Sequence, residues 1–394
     1  MENSQTDRNI KLFKIFKMFS GPLFWGPVLI SYIVNVGKMS LADIYTMEAI
    51  VVTGMIFMEV YSSGWADLLG RKKTVILGSA LQAIALIIFT IAASPASIWI
   101  ANILIMIGGA IISGADEAFL VDTLKDAGRF DELTKINRDI GNKVFAMITF
   151  SSVAAGYLYS INPRLPMILS IPGVLLAFVV TFFFYEPRTT EKSGHREHFD
   201  LIKMSVLFVA NNKKVKWIIA YIALIAVASK IWFFSYNPYF ELTMISPKYF
   251  GWIFFSLNFV AWQANKHAHV LENKFSERTI ITILVLLISV PIILFGNFVA
   301  QISILFLFGD SIVRGFKRAF FSRLINEHLD SKNRATVLSI QSASESIVGA
   351  IGLWIFGIGL KIFSLPSALQ IHGLAMLIIG LLIISQYRKI FRSQ

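Results

Sequence analysis

Apolar runs of about twenty residues recur from one end of this chain to the other, separated by short breaks rich in charge, Gly, Pro or Asn. About twenty residues at the helical rise span the hydrocarbon core of a bilayer, so each run predicts a membrane-spanning helix. The first six fall at Phe19–Val36, Ala42–Ser63, Thr74–Ala93, Ser97–Leu120, Ile140–Tyr159 and Leu165–Tyr185. A second six fall at Trp217–Tyr236, Tyr249–Gln263, Thr279–Phe298, Gln301–Phe321, Ala335–Ile358 and Pro366–Tyr387. The runs are continuous and lack the apolar/polar alternation of barrel strands. The expected fold is an all-α membrane protein with twelve transmembrane helices.

The longest polar break, Glu186–Lys216, has six predicted helices on either side. It divides the chain into an N-terminal six-helix bundle (residues 1–185), a cytoplasmic linker (186–216) and a C-terminal six-helix bundle (217–394), which together form two pseudo-symmetric halves. Within the linker, His195, Glu197 and His198 are a thin ligand set in a polar loop and read as linker, not metal centre. Near the N-terminus, Lys11–Phe19 (KLFKIFKMF) interleaves cations with large apolar residues. That pattern predicts an amphipathic anchor lying along the inner leaflet.

Composition agrees with a bilayer setting. Of 394 residues, 56% are hydrophobic and only 15% charged, where a soluble domain carries about 25%. The mean hydropathy is +0.67. The absence of cysteine excludes disulfides, iron–sulfur clusters and thiol nucleophiles, and no cofactor is expected. The net charge of +12 is explained by its distribution. The connections on one side carry 27 Lys and Arg; those on the other carry only Lys38, Arg164, Lys248 and Lys361. Under the positive-inside rule both termini are cytoplasmic. The basic balance is therefore a topology signal, and nucleic acid is not an expected partner. The apolar run after Lys17 has no small-residue cleavage site, so it is expected to stay as the first helix rather than leave as a signal peptide.

Between the second and third predicted helices the chain reads Ser63-Gly64-Trp65-Ala66-Asp67-Leu68-Leu69-Gly70-Arg71-Lys72-Lys73. This resembles the signature loop of the major facilitator superfamily, G-x-L-a-D-r-x-G-r-k, through Ala66, Asp67, Gly70, Arg71 and Lys72; Ser63, Trp65 and Leu68 depart from it. Glu59, one turn earlier, fits a bacterial subgroup, without fixing which. Asp67, at a helix end, is placed to accept hydrogen bonds from the start of a neighbouring helix. Gly70 permits a tight turn, and Arg71 and Lys72 hold the loop at the inner surface. A degraded echo follows in the second half: Asn273 for Asp67, Ser276 for Gly70, with Lys274 and Arg278 as the cations. Two other family patterns are missing: an Arg in the fourth helix and a Pro-containing motif in the fifth. The resemblance implies a twelve-helix transporter and argues against a conventional drug/proton antiporter.

A charge at a helix centre costs about 2.5–3.5 kcal/mol on insertion scales, so charged residues within spans face a wet cavity or a partner. The basic ones are Lys143, Lys230, Arg314, Lys317 and Arg318, and the acidic ones include Glu48, Glu59, Asp116, Glu117, Asp310 and Glu345. Laying Gly114 over Gly315 aligns Asp116, Glu117 and Asp122 with Lys317, Arg318 and Arg323. In a pseudo-symmetric fold this complementarity predicts a cytoplasmic gate; the alternative is charges snorkelling at helix ends. Asp310 and Arg314, four apart, can pair within their helix, or serve as a protonatable partner and an anion anchor, with Lys143 and Glu345 extending the network. The aromatics between Trp232 and Phe255 are expected mostly at the lipid interface or in packing.

Together these readings predict a secondary active transporter in the cytoplasmic membrane. It would move a small organic solute by alternating access with protons as coupling ion, and work as a monomer. Efflux of amphiphilic drugs is the alternative within transport. A polytopic membrane enzyme is the alternative outside it, disfavoured because His267 and His269, two apart, fall on different helix faces.

Overall fold

The computed structural model of the protein describes residues 3–188, 209–328 and 331–391; side chains at residues 3, 60–67, 318–319, 322, 325–328 and 331–336 lie outside the description. His195, Glu197 and His198, and the side chains of Asp67 and Arg318, are therefore outside the described residues.

The first half contains α1 (Asn3–Phe19), α2 (Leu29–Asn35), α3 (Leu41–Leu69), α4 (Arg71–Ile91), α5 (Pro95–Ile112), α6 (Ala115–Asp126), α7 (Leu133–Ile161) and α8 (Leu165–Phe182). The second contains α9 (Lys213–Leu242), α10 (Phe250–Lys274), α11 (Glu277–Asn297), α12 (Leu307–His328), α13 (Ser331–Gly359) and α14 (Leu365–Phe391). Nine of the described helical stretches are long and apolar enough to cross a membrane. The remaining expected spans fall on the interrupted first helix, on α10, whose last turns are polar, and on the charged α12. Twelve crossings fit this set.

The chain divides into two compact units. The first comprises residues Met1–Met39, Thr53–His195 and Ser246–Phe254; the second comprises Ser40–Val52, Arg196–Ile245 and Phe255–Gln394. The start of α3 thus belongs with the second unit, and the start of α10 with the first.

In the first unit, the N-terminal segment corrects the sequence reading. It is no interfacial anchor. Ile10, Phe13 and Phe16 are buried in a core cluster with Val75, Phe119, Leu120 and Phe184. Phe13 stacks on Phe119 at 6.2 Å and Phe119 on Phe184 at 4.5 Å. The cations of α1 also have partners inside the unit: Lys14 binds Asp139 at 2.7 Å, and Lys17 binds Asp116 at 2.7 Å. Once those acids neutralise the polar face, burying the aromatic face favours docking over lying in the headgroups. The helix stops at Ser20-Gly21-Pro22, where proline removes a donor and bars the preceding residue from helical geometry, and resumes as α2. The fourth predicted helix, Ser97–Leu120, is likewise two helices. Gly114, at φ +80°, breaks it into α5 and α6, a conformation open to glycine at little cost.

The second unit is built around α9, which is apolar on all sides and buried over 78% of its most hydrophobic window. Three of its aromatic residues bury their rings and satisfy their polar tips on carbonyls. Trp217 Nε1 donates to Ile383 O at 2.7 Å, Tyr221 Oη to Ile281 O at 2.7 Å, and Tyr239 Oη to Phe298 O at 2.8 Å. Tyr45 Oη donates to Ile231 O at 2.9 Å. Trp232 and Tyr239 are core residues, whereas Tyr249 and Trp252 are exposed, so the aromatic stretch divides between packing and surface. The tenth predicted helix begins as a 3-10 turn at Gln301–Phe306 and continues in α12 past Phe321 to His328.

Candidate functional site

The signature loop closes the N-terminus of α4. Gly70 takes φ +90°, and the Glu186 carboxylate accepts the backbone N–H of Arg71 at 2.6 Å and of Lys72 at 3.0 Å. A carboxylate on exposed N–H groups at a helix start is favoured by hydrogen bonding and by the helix dipole. A Cβ on residue 70 would meet the same carboxylate at 2.9 Å, so turn and cap both require glycine there. The Arg71 side chain turns inward: its Nε lies 3.2 Å from Asp122 Oδ2, with the two side chains 11% and 6% exposed. Glu186, which composition assigns to the linker, thus belongs to the loop's machinery. Glu59 accepts from Ser113 Oγ at 3.1 Å.

The second unit repeats this arrangement with the signs exchanged. Aligning Ser276 with Gly70 puts Glu277 at the place of Arg71, and Arg323 already aligns with Asp122. Arg323 reaches Glu277 at 4.0 Å and Glu272 at 3.0 Å, and Tyr387 Oη donates to Glu277 at 2.7 Å. Where Glu186 caps α4, the Ser276 side chain caps α11 by accepting from Thr279 N–H.

Deeper in the second unit, Asp310 is fully buried. One of its oxygens accepts from Ser229 Oγ at 2.7 Å; the other accepts from Tyr236 Oη at 3.0 Å and lies 3.0 Å from Arg314 Nε. Lys230, next in sequence to Ser229, interacts electrostatically with Glu48, Glu345 and Lys317. Lys317 Nζ binds Glu345 at 2.6 Å, and Gln341 Nε2 donates to the other Glu345 oxygen at 2.9 Å. Three acids (Glu48, Asp310, Glu345) and three bases (Lys230, Arg314, Lys317) are thereby gathered in one apolar bundle. The partners of Lys230 were hidden in the sequence because Glu48 lies far away on α3.

In the first unit, Asp116 accepts from Lys17, Asp122 meets Arg71, and Glu117 accepts from Asn137 Nδ2 at 2.6 Å. Among the described side chains, Asp116, Glu117, Asp122, Lys317 and Arg323 of the aligned charges are thus met by partners in their own units. Lys143 binds Asp139 one turn away at 3.0 Å and is half exposed. It belongs to the Lys14–Asp139 group, not to the Asp310 network expected from sequence.

The fold has counterparts among solved structures. A bacterial homologue of the human lysosomal transporter Spinster superposes with a TM-score of 0.73 at 14% identity, over 99% of this chain and 96% of that one. The nucleoside transporter NupG superposes at 0.71 and 15% identity over the full length of both chains. A D-xylose–proton symporter gives 0.69 and 12% over 96% of each. The chain has the major facilitator fold. Among curated proteins, an uncharacterized MFS-type transporter of Bacillus subtilis, YxaM, is 24% identical over 239 residues, 58% of each protein; the match thus spans little more than half of that relative's length. No family model matches. With its apolar helices, the major facilitator fold makes this a multi-pass membrane protein. Within that fold, the Arg71–Asp122 and Glu277–Arg323 pairs and the Asp310 network each hold charge on specific partners.

Proposed function

We propose that the protein is a secondary active transporter carrying a small organic solute across the cytoplasmic membrane by alternating access, with protons as the coupling ion. The observation that carries this reading is Asp310. A fully buried carboxylate costs several kcal/mol unless it is paired, and intramembrane acids mark ion or proton paths. Its partners are two hydroxyl donors and one guanidinium ion-paired to it. A hydroxyl can donate to the carboxylate or accept from the carboxylic acid, so the site can take up and release a proton with little rearrangement. Arg314 balances the charge of the deprotonated state. The acids of α6 and the bases of α12 are the gating charges, held here by Lys17, Arg71, Glu345 and Glu272, and gating exchanges those partners. Both termini face the cytoplasm, and one chain suffices for transport. The transport names of the structural neighbours support this reading over an enzyme.

The test is flux in proteoliposomes. A pH step drives accumulation of the solute and added ATP does not. Asp310→Asn abolishes pH-driven accumulation but leaves solute exchange between two equal pools intact. Uptake driven by a sodium gradient alone overturns the coupling assignment.

A further inference from the structure

The two interrupted helices of the first unit border one cavity. The gap after α1 contributes Ser20, Gly21, Pro22 and Trp25, and the break at Gly114 contributes Ser113, Asp116 and Glu117. Its volume is about 570 Å³, within the range of roughly 300–1,000 Å³ typical of small-molecule sites. Ile105, Ile112 and the Trp25 ring give it apolar walls, and Trp25 is held edge-on against Phe89 at 6.3 Å. The charge of its lining is one-sided: two carboxylates, Asp116 and Glu117, face one ammonium, Lys17. Asp116 is matched by Lys17 at 2.7 Å. Glu117 accepts from the amide of Asn137, a neutral donor that leaves its negative charge in place. Lys17 already rests its ammonium on one of these carboxylates, and Trp25 supplies the aromatic wall of the same cavity. Carboxylate plus aromatic face is the recognition set for an organic ammonium.

We propose that this cavity binds a small organic cation, with its ammonium on Glu117 and Asp116 and its apolar body against Trp25 and Ile112. Lys17 acts as a tethered competitor that occupies Asp116 when the cavity is empty and gives way to the ligand. The inference names a substrate class for the transport reading and rests on that reading only for the ligand's being carried; binding stands independently of it.

The test uses the purified protein in detergent and three probes that share a phenethyl body, titrated calorimetrically: phenethylamine, 2-phenylethanol and 3-phenylpropionate. Saturable binding is expected for the amine alone. Loss of a charge-assisted contact changes affinity by about tenfold, so Glu117→Gln weakens the amine by about that factor. Lys17→Met strengthens it by a similar factor, and Lys17→Arg, which keeps the charge and guards against a folding artefact, leaves it near the native value. The proposal is overturned if the amine fails to saturate, if the alcohol or the acid binds as well, or if Glu117→Gln leaves affinity unchanged. Flux separates the two claims. Amine binding without amine flux removes the transport reading and keeps the site, whereas pH-driven flux of another solute class without amine binding does the reverse.

Discussion

The sign-exchanged latches permit a demanding test. In the first unit Arg71 and Asp122 form a nearly buried pair at 3.2 Å, and the equivalent places in the second unit hold Glu277 and Arg323. Removing one partner of a buried pair costs about 3–5 kcal/mol, because the other charge is left uncompensated. Either single reversal, Arg71→Glu or Asp122→Arg, is expected to lose at least that much. For a folding body of about 200 residues, roughly 2–4 °C of melting temperature accompanies each kcal/mol, which gives a drop of roughly 6–20 °C. The double reversal restores an attractive pair in an arrangement the second unit already carries, so most of the loss returns. A residue remains because a glutamate at position 71 stands beside Glu186, which accepts from that residue's own N–H. Two carboxylates about 5 Å apart at an effective dielectric of ~20–80 repel by about 1–3 kcal/mol. Adding Glu186→Gln removes that repulsion while keeping a hydrogen-bond acceptor at the helix start. Intrinsic tryptophan melting of the purified variants at low salt ranks them: singles lowest, double higher, triple highest. A double reversal that melts no higher than the worse single refutes the reasoning.

Two further outcomes follow from the first unit. Phe13→Ala is expected to destabilise by about 3–5 kcal/mol, as large-to-small changes in a core do, whereas a residue on a leaflet-lying helix would leave the same melting curve within about 0.5 kcal/mol of the native one. Gly114→Ala meets no neighbouring atom within 4 Å, so its cost is backbone strain alone, about 1–3 kcal/mol in the same melt, for a residue held at φ +80° and ψ −40°.

Spans such as Leu165–Phe182 and Arg71–Ile91 were legible within a few residues, because an apolar run of bilayer length has few other uses. What sequence alone could not deliver was partnership. Lys14 and Lys17 read as solvent-facing or headgroup-facing cations until Asp139 and Asp116 are brought to them, and those acids lie 125 and 99 residues further on. The spacing of Ile10, Phe13 and Phe16 carried the one usable hint of a buried face. Glu186 was hidden for a related reason: by composition it begins a polar linker, and only the fold carries it to the start of α4. The helix break at Gly114 was masked by hydropathy, since a glycine between apolar residues does not interrupt an apolar run. The charges aligned between α6 and α12 follow from equivalent positions in the two halves, and such an alignment says nothing of a nearer neighbour such as Lys17.

The docking of α1 also bears on how the protein is made. Its contacts are to residues synthesised much later: Asp116 and Thr123, then Arg129 for Asp7, and finally the Tyr185 backbone for Asn9, 176 residues downstream. At a synthesis rate of ~5–20 residues per second, roughly 9–35 s pass between the emergence of Asn9 and that of its last partner. During that interval four cations, Arg8, Lys11, Lys14 and Lys17, stand against only Glu2 and Asp7 in their own segment, and the surplus is too costly to leave in lipid. This segment is therefore seated only after its downstream partners have been made, held at the membrane surface until the helices that neutralise it have been inserted.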